Sequence, residues 1–300
     1  MNTSQKDDQF YLARKAKNLR LRAKFMQSVR HFFNEHDFLE IETPLRIPGP
    51  APEEHIEAIP SGNWFLQTSP ELCMKRLLAA GYPRIFQICK CFRAQERGEK
   101  HLPEFTMLEW YRAREDYERI IEDTLALVRL AATTAGTREF QWRGRLSDPL
   151  AEAEWLTVND AFRRYAGIDL LSTISADGSA DCKALASISP VHVAKDDSWS
   201  DMFSRILSEE VEPHLGNGRI TVLYEYPAVE AALAKVCAHD TRVSERFELY
   251  ACGVELANAF GELTDPVVQR RRFVADMDRK ERLYGIRYPI DEDFLAALAR

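Results

Sequence analysis

The chain has 300 residues, 45% of them apolar and 29% charged, and a formal charge of −7 at pH 7. That length suits one large domain with a sizeable core, and the acidic balance argues against a surface that coats nucleic acid. No apolar run approaches the roughly 18 residues of a membrane span, and the opening MNTSQKDDQF lacks the apolar stretch of a secretory signal. A cytoplasmic protein is therefore expected, with its six cysteines, none in a CxxC pair, as free thiols.

Residues 10–37 predict a helix, with Phe25, Met26, Val29, Phe32 and Phe33 at helical spacing and Asp7 and Asp8 as cap residues. Residues 38–43 alternate as a strand, and Pro44 stops it. Residues 45–63 are rich in Pro and Gly and predict loop; 64–67 predict a short strand. Thr68-Ser69-Pro70-Glu71 opens a helix. A hydroxyl residue before proline and an early glutamate signal an N-cap, and a helix N-terminus also attracts anions.

Residues 85–93 and 105–112 predict two strands around a polar loop. Sorted by the period of two, Phe86, Ile88 and Phe92 share a core face, and Gln87, Cys89, Cys91 and Arg93 share the other. In the second strand Phe105, Met107, Glu109 and Tyr111 point one way, and Thr106, Leu108, Trp110 and Arg112 the other. One sheet surface would then carry a guanidinium, an aromatic ring, a carboxylate and a phenol. Such a surface suits a charged planar ligand and a small cation, although an ordinary amphipathic hairpin has the same alternation.

Residues 116–136 predict a helix, and 137–215 an insertion, mostly helical, with Trp142, Trp155, Phe162, Tyr165, Trp199 and Phe203 as anchors of a satellite core and no evident chemistry. Residues 220–226 predict a buried strand ending at Pro227. Residues 244–250 and 254–256 predict a tight hairpin with Gly253 at the bend, opposing Glu248 to Glu255. Opposed carboxylates repel, so either a cation lies between them or both are surface residues separated by water. A bulge near 257–259 would bring Asn258, Phe260 and Glu262 onto the surface of Glu255. Residues 265–284 predict a charged helix whose basic run, Arg270-Arg271-Arg272 with Arg279 and Lys280, forms a solvated face or docks an acidic partner. A last helix begins at 291.

FRAQERGEKHLPEFTMLEWYR closely resembles motif 2 of the class II aminoacyl-tRNA synthetases in its lysyl form. TSPE (68–71) and ERFELYACGVELANAFGELTD (245–265) resemble the other lysyl-specific stretches in the right order, and the first helix, strand and Pro44 resemble motif 1. The resemblance covers most of residues 10–298. It implies an α+β fold: one catalytic domain over 1–300, built on an antiparallel sheet flanked by helices, with a helical insertion at 137–215. It also implies a homodimer through residues 10–44.

By the same resemblance Arg93 is the catalytic residue, holding the α-phosphate of ATP and the substrate carboxylate. Ala94, Gln95, His101, Leu102, Phe105, Glu255 and Leu256 contribute to the ATP site, with Phe105 on adenine and His101 near the outer phosphates. Glu248 and Glu255 hold Mg²⁺. Ser69, Pro70, Glu71, Glu109, Tyr111, Asn258, Phe260 and Glu262 receive lysine or β-lysine, as a buried ammonium needs carboxylate partners. Short members of the lysyl branch, without the anticodon-binding barrel, pass the acyl group to a lysine of elongation factor P. Motif 1 begins here within the first few dozen residues, and the −7 charge with local basic strips suits an acidic protein acceptor rather than tRNA.

The sequence departs from the family at Gln95 for glutamate, Leu102 for asparagine and Ala259 for a glycine of unusual φ. The Gly-rich strand and helix of motif 3, expected after residue 298, does not appear in the 300 residues. Two further readings therefore stand beside the first: a lysyl-adenylate former serving tRNA or another acceptor, and a non-catalytic paralogue acting as a binding module.

Overall fold

A computed structural model describes residues 12–299. Helix α1 (Ala16–Glu35) buries Val29 and Phe33; its expected cap at Asp7 and Asp8 lies outside the described residues. Asp37, at φ 61°, turns the chain into β1, which is only Leu39–Glu40. Within 45–63, expected to be loop, β2 (Arg46–Ile47) and β3 (Pro60–Ser61) pair with β4 (Trp64–Leu66) in a small sheet. Helix α2 (Glu71–Ala79) follows. Its N-cap position is Pro70, without a side-chain cap, but Ser69 Oγ accepts from the Glu71 amide at 3.0 Å.

Strands β5 (Arg84–Phe92) and β6 (Glu104–Arg112) form the hairpin read from the alternation, with Gln87 opposite Glu109 and Cys91 opposite Phe105. One face packs on α1 and on α3 (Tyr117–Ala135) through Phe33, Phe86, Leu108, Trp110 and Leu127. The Phe33 and Phe86 rings stack with centroids 4.5 Å apart. Arg112, at the strand end, makes a buried two-pronged ion pair with Asp123 of α3 at 2.6 and 3.0 Å, which ties helix to hairpin. The opposite face is left for the site.

The insertion differs from the expectation. Its first part is strand: β7 (Phe140–Trp142) and β8 (Arg145–Asp148) form a hairpin, and β9 (Glu154–Thr157) joins the second large sheet. Helices take over only from α4 (Val158–Ala161), then α5 (Cys182–Ile188) and α6 (Trp199–Ile206), the last begun by a Ser198–Asp201 capping box. Phe162, Trp199 and Phe203 do anchor a core there, with Tyr165 at its rim. Trp142 and Trp155 do not: they are 36% and 47% exposed, because strand alternation turns Trp155 outward while Leu156 points in.

After β10 (Gly218–Arg219), the strands β11 (Thr221–Pro227), β12 (Val243–Ala251) and β13 (Val254–Phe260) make a sheet ordered β13-β12-β11-β9. In place of the expected single antiparallel sheet, the described residues form two larger mixed sheets and two small ones, β2-β4-β3 and β10-β8-β7. β1 runs parallel to β5 and β9 parallel to β11, each returning by a long connection. Ala259 lies in regular strand paired with Phe247, packed against the buried cluster of Ile121, Val222, Phe247 and Leu249, so no unusual φ is required there.

Helices α7 (Pro266–Tyr284) and α8 (Glu292–Leu298) close the fold over Leu72, Leu233, Phe273 and Phe294. The basic run of α7 is not a free strip. Arg270 pairs with Glu292, Arg272 donates to the Ala232 and Ala234 carbonyls, and Arg279 pairs with Glu54 and Asp276. Lys280 is buried and donates to the carbonyls of Glu53, Glu54 and Ile56 at 3.1, 3.0 and 2.7 Å, fastening that loop to the helix.

Candidate active site

Three elements bring the polar side chains together: the first turn of α2, the inner face of the β5–β6 hairpin, and the residues that follow β13. Gly261 sits so close to β12 that a Cβ would clash with the Glu245 side chain, and the next residue, Glu262, reaches Lys75 of α2.

At one end lies an acidic pocket. Ser69 Oγ and Tyr111 OH donate to the two oxygens of Glu109 at 2.8 and 2.6 Å. Lys75, only 5% exposed, extends its Nζ to Glu71 Oε1 at 2.6 Å and Glu262 Oε2 at 2.5 Å and lies 5.9 Å from the Tyr111 ring centre. Burial, then the charge of Glu71, pushes the Glu109 carboxyl up to about 8, against the pull of the Tyr111 and Ser69 hydroxyls. Burial raises Glu262 to about 7, with Lys75 opposing it. Burial pulls Lys75 down, but Glu262 and then Glu71 outweigh it and hold the ammonium protonated. The Tyr111 phenol is raised well above its ordinary value, by burial first and Glu109 second. Glu71, Ser69, Glu109, Tyr111 and Glu262 therefore converge; Pro70 contributes the helix start.

Beside this pocket the Arg93 guanidinium lies 5.3 Å from the centre of the Phe105 ring, with Nε 3.4 Å from the Thr68 carbonyl and a further contact to Glu96 at 3.5 Å. At that distance the guanidinium rests against the ring in a cation–π contact, and its planar fork can hold an anion. Ala94 is fixed by its amide to the Glu57 carbonyl. Gln95, His101 and Leu102 stand out on the exposed loop between the strands, Leu102 at 63% exposure. Glu53 faces this region from its Lys280-fastened loop: burial raises it to about 7, with Arg93 pulling it down and Glu71 pushing it up.

The third region is a cavity of about 480 Å³ between β11–β13 and α6, lined among others by Glu212, Tyr226, Arg246, Glu248 and Glu255. Glu248 does not oppose Glu255. It faces Asn258, and Glu255 pairs with Tyr250, because Leu256 is an extra residue in the ladder between Glu255 and Ala257. The bulge falls just before the expected place, yet it does put Glu255, Asn258 and Phe260 on one face. Glu248 accepts from Arg246 at 2.7 Å and from Tyr250 OH at 2.6 Å. Asn258 contacts Arg246 at 3.3 Å and Phe260 packs toward Leu72, so neither touches the Glu109–Tyr111 pair. Desolvation on the cavity side, then repulsion from Glu248, raises Glu255 above the ordinary carboxylate range, although its outer edge is exposed. Among the described residues no three His, Cys, Asp or Glu side chains form a closed metal cage. Two crowded carboxylates beside a cavity are nevertheless a fitting donor set for Mg²⁺, which keeps waters and substrate phosphates as its other ligands.

Several members escape sequence reasoning. Lys75 reads as a solvated helix residue, and only its spacing of four from Glu71 hints at a pair. Arg246 shares a strand face with Glu248 two residues on, and Glu53 carries no local signal. The α6 wall of the cavity lies in the insertion, where no chemistry was expected.

Comparison with known proteins bears on the same residues. The model of the tRNA synthetases class II (D, K and N) matches residues 9–298. A Klebsiella pneumoniae (strain 342) protein named elongation factor P–(R)-β-lysine ligase is 39% identical over 293 residues, 94% of this chain and 84% of that one. Proteins of the same name from Enterobacter sp. (strain 638) and Salmonella paratyphi B are 38% and 37% identical, with the same shares covered.

Proposed function

The chain belongs to the class II tRNA synthetases, and from that premise we propose that it activates lysine or β-lysine with ATP and transfers the acyl group to a lysine side chain of elongation factor P. The observation that carries this reading is the acidic pocket of Glu71, Glu109, Glu262 and Tyr111 lying beside Arg93 and Phe105. A substrate with two ammonium groups and one carboxylate fits that sequence of charges, and an apolar amino acid does not. The names of the relatives supply the acceptor and the β-isomer.

In this reading the substrate carboxylate oxygen attacks the α-phosphorus of ATP. A new P–O bond forms as the bond to pyrophosphate breaks, leaving an aminoacyl adenylate. Arg93 holds the α-phosphate and the carboxylate together, stabilising charge as it spreads over the phosphoryl oxygens. Phe105 would offer adenine its ring as a stacking partner. Glu109, Glu71 and Glu262 hold the two ammonium groups and so fix the carboxylate in line, a positioning role worth orders of magnitude in rate. Glu248 and Glu255 would hold Mg²⁺, which supplies neutralisation of the polyphosphate charge. In the second half the neutral ε-amine of the acceptor lysine attacks the acyl carbon, AMP departs with the bonding pair, and the amine loses a proton.

ATP–pyrophosphate exchange tests the first half directly. Exchange is expected with lysine or β-lysine and absent with leucine. Exchange that is indifferent to the second ammonium group would overturn the reading.

A further inference from the structure

We propose that Lys75 is a positioning residue that sets the charge of the amino-acid pocket to match a substrate carrying two ammonium groups. The inference rests on the functional reading above and extends it to a side chain that touches no reacting atom. Three carboxylates, Glu71, Glu109 and Glu262, converge on the pocket, and one ammonium, Lys75, is built into its wall. When all are ionised, three negative charges and one positive leave two to be met. Lysine and β-lysine each bring two ammonium groups, and their carboxylate is directed to Arg93.

The geometry divides the oxygens in the same way. Lys75 takes Oε1 of Glu71 and Oε2 of Glu262, so the remaining oxygen of each is left to accept from the ligand. Ser69 and Tyr111 each donate to one oxygen of Glu109. Glu53 also feels the charge of Glu71 and is itself faced by Arg93, Asp276 and Arg246. The Lys75 ammonium is locked in its charged state by its partners, so it offsets one carboxylate at every working pH. Without it Glu71 and Glu262 would lose the cation they share, and a buried unpaired charge is met by taking up a proton. The ligand would then have to expel one more proton to bind.

The test is the pH dependence of lysine and β-lysine binding, read by calorimetry between pH 6 and 8 in buffers of different ionisation enthalpy. Lys75→Met is expected to release about one more proton on binding than the wild type, so that affinity rises by about one further factor of ten per pH unit. At pH 7 it should bind roughly tenfold or more weakly for the same reason. Lys75→Arg, which keeps the charge, should keep the wild-type pH profile. Lys75→Met/Glu71→Gln removes one carboxylate together with the ammonium and should return to the wild-type profile, whatever its absolute affinity. It also decides the matter if Lys75→Met alone does not fold. A folded Lys75→Met whose profile runs parallel to wild type, or a double variant that differs from wild type in proton release, would overturn the role of Lys75 and leave the functional reading standing. A wild-type protein that binds neither amino acid would overturn both.

Discussion

Glu109→Gln should make the protein more stable and worse at its task. The Glu109 carboxyl is held up to about 8 against an ordinary 4.5, chiefly by burial. At pH 7 the unfolded chain releases a proton that the folded chain keeps, which costs folding about 3 kcal/mol at about 1.36 kcal/mol per pH decade. Glutamine removes that cost. It offers one acceptor oxygen where Ser69 and Tyr111 both donate, so one hydroxyl must turn and accept from the new amide, a loss of about 1 kcal/mol. The balance is a gain of about 1–2 kcal/mol for the ligand-free protein, a rise of a few degrees in Tm. Binding of lysine or β-lysine should weaken by about 2–5 kcal/mol, because an ammonium group loses its charged partner. Differential scanning calorimetry and titration calorimetry read the two halves. A variant with a lower Tm and unchanged affinity would refute the reasoning.

The remaining expectations concern pH, a buried fastening and assembly. Glu53, Glu109 and Glu262 are all raised, to about 7, 8 and 7, with burial the largest cause in each. Groups raised in the folded state contribute stability below their unfolded value near 4.5 and lose it as pH climbs through 7–8. The ligand-free Tm should therefore fall between pH 5.5 and 8.5, and saturating lysine should flatten the fall; a Tm that rises over that window would contradict this. Lys280→Met strips the donor from three carbonyls and should cost about 2–4 kcal/mol in urea unfolding, with faster amide exchange at 53–58. Light scattering should give about twice the 34.5 kDa chain mass, with α1 and β1, where Leu19 and Leu39 are 57% and 49% exposed, at the interface. Leu19→Glu should shift the protein toward monomer, and a wild-type monomer at tens of micromolar would exclude that assembly.

What could be read from the sequence follows from which signals are local. The β5–β6 hairpin was legible because Phe86, Ile88, Leu108 and Trp110 alternate with Gln87, Cys89, Met107 and Glu109, and a period of two leaves one register that buries the apolar set. The register of β12–β13 was legible only in part: a bulge was expected at 257–259, but the extra residue is Leu256, and it shifts every pair beyond it. The strands at 140–157 are three or four residues each, too short for alternation to speak. Lys75 and Lys280 read as solvated lysines, as most lysines are. Their burial depends on Glu262 and on the 53–56 carbonyls, partners far away in the chain. Cationic groups that meet distant carboxylates or backbone oxygens leave no periodic trace, and that is why the charge balance of the pocket emerged only in three dimensions.

The most direct measurement is transfer itself. The protein is incubated with ATP, Mg²⁺, radiolabelled lysine or β-lysine, and either elongation factor P or bulk tRNA. Label should appear on elongation factor P and should disappear when Arg93 is replaced by alanine, with tRNA remaining unlabelled. Label on tRNA and none on elongation factor P would contradict the account.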